Sequence, residues 1–162
     1  MIYFRPLVKD DKTFLWKILY YALFVPYGQQ PYPANVVHKP KISRYVQGWG
    51  KPHDSGFVAL DGNKPVGASW LRLLVGEHKG YGYIDEDTPE LSIAVLPKYR
   101  GQGLGTELLT RLINMAQDKY QAVCLSVSLD NLAKKLYDRL GFGVVGRNDS
   151  SLTMRLCWRM NA

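Results

Sequence analysis

The heptapeptide Arg100-Gly101-Gln102-Gly103-Leu104-Gly105-Thr106 has a spacing suited to holding phosphate. Glycines let a backbone turn tightly and put no Cβ in the way, so successive N–H groups can point at one anion, and the start of a following helix adds roughly half a positive charge. Arg100 supplies a forked, permanently charged donor suited to phosphate oxygens. A pyrophosphate fits this description, and so does a glycine-rich turn that binds nothing. A P-loop is disfavoured, because no Lys-Ser or Lys-Thr follows the last glycine. A dinucleotide fingerprint needs a third glycine where Thr106 stands, and it belongs after the first strand of a βαβ unit rather than after a late strand.

Other reactive residue types are less eloquent. His38, His53 and His78 are isolated and lack the i, i+4 spacing of helical metal ligands, so no metal is expected. Cys124 and Cys157 fall in strand-like runs with no CxxC partner, and both read as buried thiols.

The elements that must position the loop follow from periodicity. Ile2 to Arg5 reads as a strand, and Asp10 or Asp11 can cap a helix with Phe14, Ile18, Leu19 and Ala22 on one face. Pro40 to Val46 suggests a short helix ended by Gly48; Ser55 to Leu60 and Pro65 to Val75 flank Asp61-Gly62-Asn63-Lys64, a hairpin signal. After a polar loop from Gly76 to Pro89, Glu90 to Leu96 is a strand too apolar for an exposed edge. A helix then opens at the glycine loop, with Leu104, Leu108, Leu112 and Met115 in a broad apolar stripe reaching about Lys119. Ala122 to Val127 is a strand, and Asn131 to Leu140 a helix with Gly141 placed to end it in the left-handed region. Phe142 to Gly146 and the alternating Leu152, Met154, Leu156 and Trp158 close the chain as strands around Asn148-Asp149-Ser150-Ser151. The result is an α+β fold with a mixed sheet.

Bulk properties set the frame. With 162 residues and 46% hydrophobic content, one domain spanning 1–162 is expected. No stretch has the length and apolarity of a membrane span, and the start lacks the pattern of a secretion signal, so a cytoplasmic protein is expected. The net charge of +7 suits a polyanionic partner, but Lys and Arg are scattered without a basic run or a nucleic-acid motif, which favours a phosphate-rich cofactor over nucleic acid.

The loop and its flanks resemble the GNAT superfamily of acetyl-CoA-dependent N-acetyltransferases, whose motif [Q/R]-x-x-G-x-[G/A] opens a helix. The match is Arg100 to Gly105, strengthened by the preceding strand with Pro97-Lys98-Tyr99 and by Asn131-Leu132-Ala133-Lys134-Lys135-Leu136-Tyr137-Asp138-Arg139-Leu140-Gly141-Phe142. The close resemblance covers about Pro89 to Phe142. It implies a mostly antiparallel sheet of about seven strands with about four helices. It also implies acetyl-CoA as donor, an amine as acceptor and direct attack in a ternary complex, and it leaves a homodimer open. By the same resemblance the backbone of Ile93, Ala94 and Val95 would pair with the pantetheine arm. Arg100, Gly101, Gln102, Gly103, Leu104, Gly105 and Thr106 would hold the pyrophosphate. Asn131 would contact pantetheine, although it lies six residues before Tyr137 where many members have seven. Lys134 or Lys135 would reach the 3′-phosphate unless the pair is a solvated helix face.

Acetyl transfer needs a neutral amine, and an amine with a pKa near 10.4 is about 99.9% protonated at pH 7, a penalty of roughly 4 to 5 kcal/mol. Glu90 matches the position where many members place a general base; its plain alternative is an exposed strand-start residue. Tyr137 matches the tyrosine near the departing sulfur, where a charge-assisted hydrogen bond would stabilise thiolate; its plain alternative is core packing. A non-catalytic acyl-CoA sensor is the rival class. Four carboxylates and two tyrosines between Gly80 and Glu90 suggest an acidic mouth for cationic amines, with Tyr27, Tyr32 and Trp49 as further walls.

Overall fold

The computed structural model describes residues 1–158. Seven strands form one sheet: β1 (Ile2–Pro6), β2 (Ser55–Asp61), β3 (Lys64–Arg72), β4 (Glu90–Val95), β5 (Ala122–Ser128), β6 (Gly143–Arg147) and β7 (Ser151–Cys157). Their spatial order is β1-β2-β3-β4-β5-β7-β6. Every neighbouring pair is antiparallel except β4 with β5, which is parallel. Four α-helices accompany the sheet: α1 (Lys12–Ala22), α2 (Pro40–Ser43), α3 (Leu104–Ala116) and α4 (Lys134–Arg139). This is the mixed, mostly antiparallel α+β architecture expected.

Local chemistry explains most boundaries. Asp61 pairs with Lys64 across a two-residue turn, and Gly62 takes the first position at φ 60°, where a side chain is disfavoured. Gly141 ends α4 at φ 100°. Asn148 Oδ1 accepts the N–H groups of Ser150 and Ser151, closing the last hairpin. The amphipathic α3 buries Leu104, Leu108, Leu109, Leu112, Ile113 and Ala116 and stops at Ala116, short of Lys119. Ser69 Oγ donates to the Leu108 carbonyl and the next residue, Trp70, donates from Nε1 to the Tyr45 carbonyl. Successive strand residues face opposite ways, so α3 and the segment after α2 cover opposite faces of β3.

Three expectations need correction. Asp11 does not cap α1 through its side chain, because its two oxygens accept from Arg5 and the Val8 N–H. The buried face of α1 is Leu15, Ile18 and Leu19, with Phe14 and Ala22 only partly covered. Cys124 is buried but Cys157 is exposed, since it falls with Thr153 and Arg155 on the opposite face of β7 from the core residue Met154.

Candidate active site

The site begins where β4 and β5 part. They pair only at Glu90 and Cys124, with the Cys124 N–H donating to the Pro89 carbonyl at 3.0 Å. Beyond that point β4 stays paired with β3 alone, over Glu90 to Val95. Leu96 N–H donates to the Val66 carbonyl at 2.8 Å, which fixes the phase of the ladder. By alternation, Ser92 and Ala94 turn their hydrogen-bonding groups to β3, while those of Ile93 and Val95 point into the gap on the β5 side. Val95 C=O accepts from Arg100 Nε at 3.0 Å. Ile93 and the Val95 N–H thus form a free edge in the middle of the sheet, whereas Ala94 has its backbone bonds on the β3 side.

The glycine loop lies at the open end of this gap. Gly101 (φ 76°) and Gly103 (φ 83°) occupy the left-handed region, and nothing lies within 4 Å of where a Cβ would stand on either. Conformation rather than space demands glycine there. Gly103 precedes α3 with no side-chain cap, and Glu107 N–H returns to the Gly103 carbonyl at 3.2 Å. The N–H groups of Leu104, Gly105 and Thr106 precede that first helical bond and so have no intrahelical acceptor. Gln102 and Thr106 are exposed. Arg100 is exposed too, but its guanidinium folds back onto the Val95 and Tyr21 carbonyls. A Cβ on Gly105 would lie 3.9 Å from both Ile93 Cδ1 and Leu136 Cδ2, so β4, α3 and α4 converge at that residue. An anion with several acceptor oxygens fits this cradle, and an extended chain of amides fits the free edge.

Glu90 is only 5% exposed, so it is not a strand-start residue in solvent. Tyr45 Oη donates to Glu90 Oε2 at 2.5 Å and accepts the Tyr81 N–H at 2.7 Å. Glu90 Oε1 is buried and makes no hydrogen bond of normal geometry, although the Gly82 N–H comes close enough to favour the ionised carboxyl. Burial pushes the carboxyl up to about 7, against the Tyr45 hydrogen bond, which favours the ionised form. Burial likewise pushes the neighbouring Cys124 thiol well above its ordinary value, leaving it protonated and inert. On β3, Arg72 stands opposite Glu90 in register but is held by Asp54, Nε to Oδ1 at 2.9 Å and Nη2 to Oδ2 at 3.1 Å. No spacing in the sequence signals the contact between Tyr45 and Glu90, which lie 45 residues apart.

Tyr137 is 7% exposed on α4, edge-on to Phe142 with ring centroids 5.8 Å apart, and burial pushes its phenol up to about 12. Asn131 is already engaged: its Oδ1 accepts the Ala133 N–H at 2.9 Å in the turn that leads into α4, which begins at Lys134 rather than Asn131. Lys134 pairs with Asp138 at 2.8 Å, while Lys135 is exposed.

Asp85, Glu86 and Asp87 are exposed, and Asp85 Oδ1 accepts from Asp87 N–H and Thr88 Oγ1. Tyr27 projects wholly into solvent, Tyr32 is 39% exposed with its hydroxyl donating to the Phe24 carbonyl, and Trp49 is a buried residue whose ring lies 5.8 Å from the Arg72 guanidinium. Among the described residues no cluster of His, Cys, Asp or Glu has a metal-holding arrangement, and no helix is long and apolar enough to cross a membrane.

Residues 14–142, more than half of the chain, match the sequence model of the acetyltransferase (GNAT) family. The chain belongs to that family. Within it, this GNAT protein is 41% identical over 63 residues to the ribosomal protein bS18-alanine N-acetyltransferase of Haemophilus influenzae, covering 38% of this chain and 42% of that protein. It thus spans less than half of that relative's length in the match. Its fold is similar to the crystal structure of the ribosomal-protein-S18-alanine N-acetyltransferase from Escherichia coli, with a TM-score of 0.70 and 21% identity, covering 100% of this chain and 97% of that one. It is also similar to the PaiA N-acetyltransferase from Thermoplasma acidophilum in complex with coenzyme A, with a TM-score of 0.69 and 16% identity over 98% and 99% of the two chains.

Proposed function

We propose that this GNAT protein is one domain that transfers an acetyl group from acetyl-CoA to an amine in a ternary complex, in the cytoplasm. The observation that carries the reading is the fork itself. Directly beyond Glu90, a central strand turns unpaired backbone groups toward a gap that leads to an uncapped helix start. The pantetheine arm would pair with Ile93 and Val95, and its pyrophosphate would rest on the N–H groups of residues 101–106. In this arrangement Arg100 braces the end of β4 by its bond to Val95 and adds positive charge to the loop.

Glu90 then serves as general base. A carboxyl that titrates near 7 is about half ionised at neutral pH; the ammonium gives its first proton to solvent, and Glu90 takes, directly or through a water, the one proton that the neutral amine releases as it attacks. As the nitrogen lone pair forms the C–N bond, the C–S bond breaks, the amine proton passes to Glu90, and the electron pair leaves on sulfur. Tyr137 donates a hydrogen bond to that thiolate; with its phenol near 12, full proton transfer is uphill and stabilisation without transfer is the favoured role. The test is a turnover assay of acetyl-CoA against a panel of amines, with Glu90→Gln alongside. Turnover that falls about 100-fold or more in the variant supports the assignment. Acetyl-CoA binding with no turnover of any amine would instead favour the sensor reading.

A further inference from the structure

A cavity of about 160 Å³ is lined by Lys41, Arg44, Lys79, Gly80 and Tyr81. Three of these are cations and none is an acid. Elsewhere in the fold Arg5, Arg72, Arg111 and Lys134 each pair with a carboxylate. Lys41, Arg44 and Lys79 form no such ion pair among the described residues. Arg44 is fixed in place by two backbone carbonyls, Nε on Pro40 and Nη1 on Lys79. Lys79 Nζ stands 4.6 Å from the centroid of the Tyr83 ring. Unpaired cations gathered around one cavity repel one another, and an anion among them relieves that repulsion.

The cavity also adjoins the candidate base. A Cβ on Gly80 would come within 2.1 Å of Glu90 Oε1, the buried oxygen without a hydrogen bond of normal geometry. Gly80 thus touches both the carboxyl and the cavity, and the charge of Arg44 reaches Glu90 and favours its ionised form. Asp85, Glu86 and Asp87 contribute nothing to this lining.

We propose that the cavity receives an anionic group, a carboxylate or a phosphate, carried by the acceptor a few bonds from its amine. This rests on the acetyltransferase reading above and replaces the cationic acceptor that the acidic run suggested. The volume admits a carboxylate or a phosphate. An acceptor of this kind would bring its own counter-charge, so its ammonium end would no longer meet an uncompensated basic surface on its way to Glu90.

The experiment compares matched acceptors: β-alanine with its amide, and 2-aminoethyl phosphate with 2-aminoethanol. The anionic member of at least one pair should show about a ten-fold or greater advantage in kcat/KM, shrinking as salt rises from about 50 to about 500 mM. The pair with the larger advantage tells carboxylate from phosphate. A Lys41→Glu, Lys79→Glu double variant, altered only at exposed side chains, should lose the advantage while keeping its thermal stabilisation by acetyl-CoA. Equal turnover of anionic and neutral amines, or an advantage that survives the double variant, overturns the proposal while leaving the acetyltransferase reading intact. Should no amine turn over, calorimetric titration with 2-aminoethyl phosphate and with β-alanine decides. Indistinguishable binding of both by wild type and variant overturns the cavity assignment by itself.

Discussion

At the scale of single residues, the Tyr45–Glu90 contact sets the pH behaviour. Glu90 as general base makes kcat/KM rise with pH through about 7, where the carboxyl is half ionised, and its contribution to the slope disappears a unit or more above that, leaving only the ionisation of the amine. Tyr45→Phe removes the hydrogen bond that favours ionisation, so the rising limb should move to higher pH; a limb that stays in place would detach Tyr45 from the titration. The same shift has a stability consequence of opposite sense. The folded-state value lies above the ordinary 4.5, so the native state binds the proton more tightly than the unfolded chain does. The stability this contributes is complete below about 4.5 and is lost as pH rises through about 7, and Glu90→Gln should flatten that part of the urea-denaturation profile. On the other side of the reaction, Tyr137→Phe should lower kcat by more than it changes KM for acetyl-CoA, since the hydroxyl is needed where charge develops on sulfur. An unchanged kcat, with chemistry rate-limiting, would return Tyr137 to a packing role beside Phe142.

At the scale of elements, the loop before α3 and the turn before α4 make separable predictions. Gly103→Ala meets no neighbour but must hold φ 83°, a cost of about 1 to 2 kcal/mol, so the loop should relax and the melting shift produced by acetyl-CoA should shrink or vanish in a folded variant. Asn131→Asp keeps the oxygen that accepts Ala133 N–H and loses the amide donor. If that donor meets pantetheine, KM for acetyl-CoA should rise several-fold while the melting temperature holds; a fall in melting temperature with KM unmoved would make Asn131 a turn residue only. These elements were legible because their signals are local. Glycines at 101, 103 and 141 announce left-handed backbone, and the apolar stripe of α3 announces a buried face. What was not legible depends on contacts between distant segments. Nothing near Tyr45 names Glu90 as its partner, nothing near Arg72 names Asp54, and the cations of the cavity come from two segments about 35 residues apart in sequence. Cys157 is a different case: its apolar type suggests burial, but the strand's own alternation places it beside Arg155 on the outward face.

At the scale of the whole molecule, Arg72 and Asp54 tie β3 to the segment after α2. Both side chains are 5% exposed, and Arg72 Nη1 also donates to the Arg44 and Gln47 carbonyls at 3.0 and 2.7 Å. Asp54→Ala leaves that guanidinium buried without its counter-charge, and should cost about 3 to 5 kcal/mol in urea denaturation; a cost under about 1 kcal/mol would mean that solvent reaches the pair. Because Arg44 also lines the cationic cavity, the same variant should disturb acceptor KM more than donor KM. The parting of β4 from β5 reaches further still. A strand in the middle of a seven-stranded sheet ordinarily surrenders its amide protons to solvent only when the protein unfolds, but the Ile93 and Val95 amides face a gap rather than a neighbouring strand. In deuterium oxide they should exchange on the timescale of a surface edge, while Ala94 between them, bonded to β3, exchanges slowly. A donor molecule seated in the gap would close it as an eighth strand closes a sheet, and those two amides, not the loops, would then show the largest gain in protection.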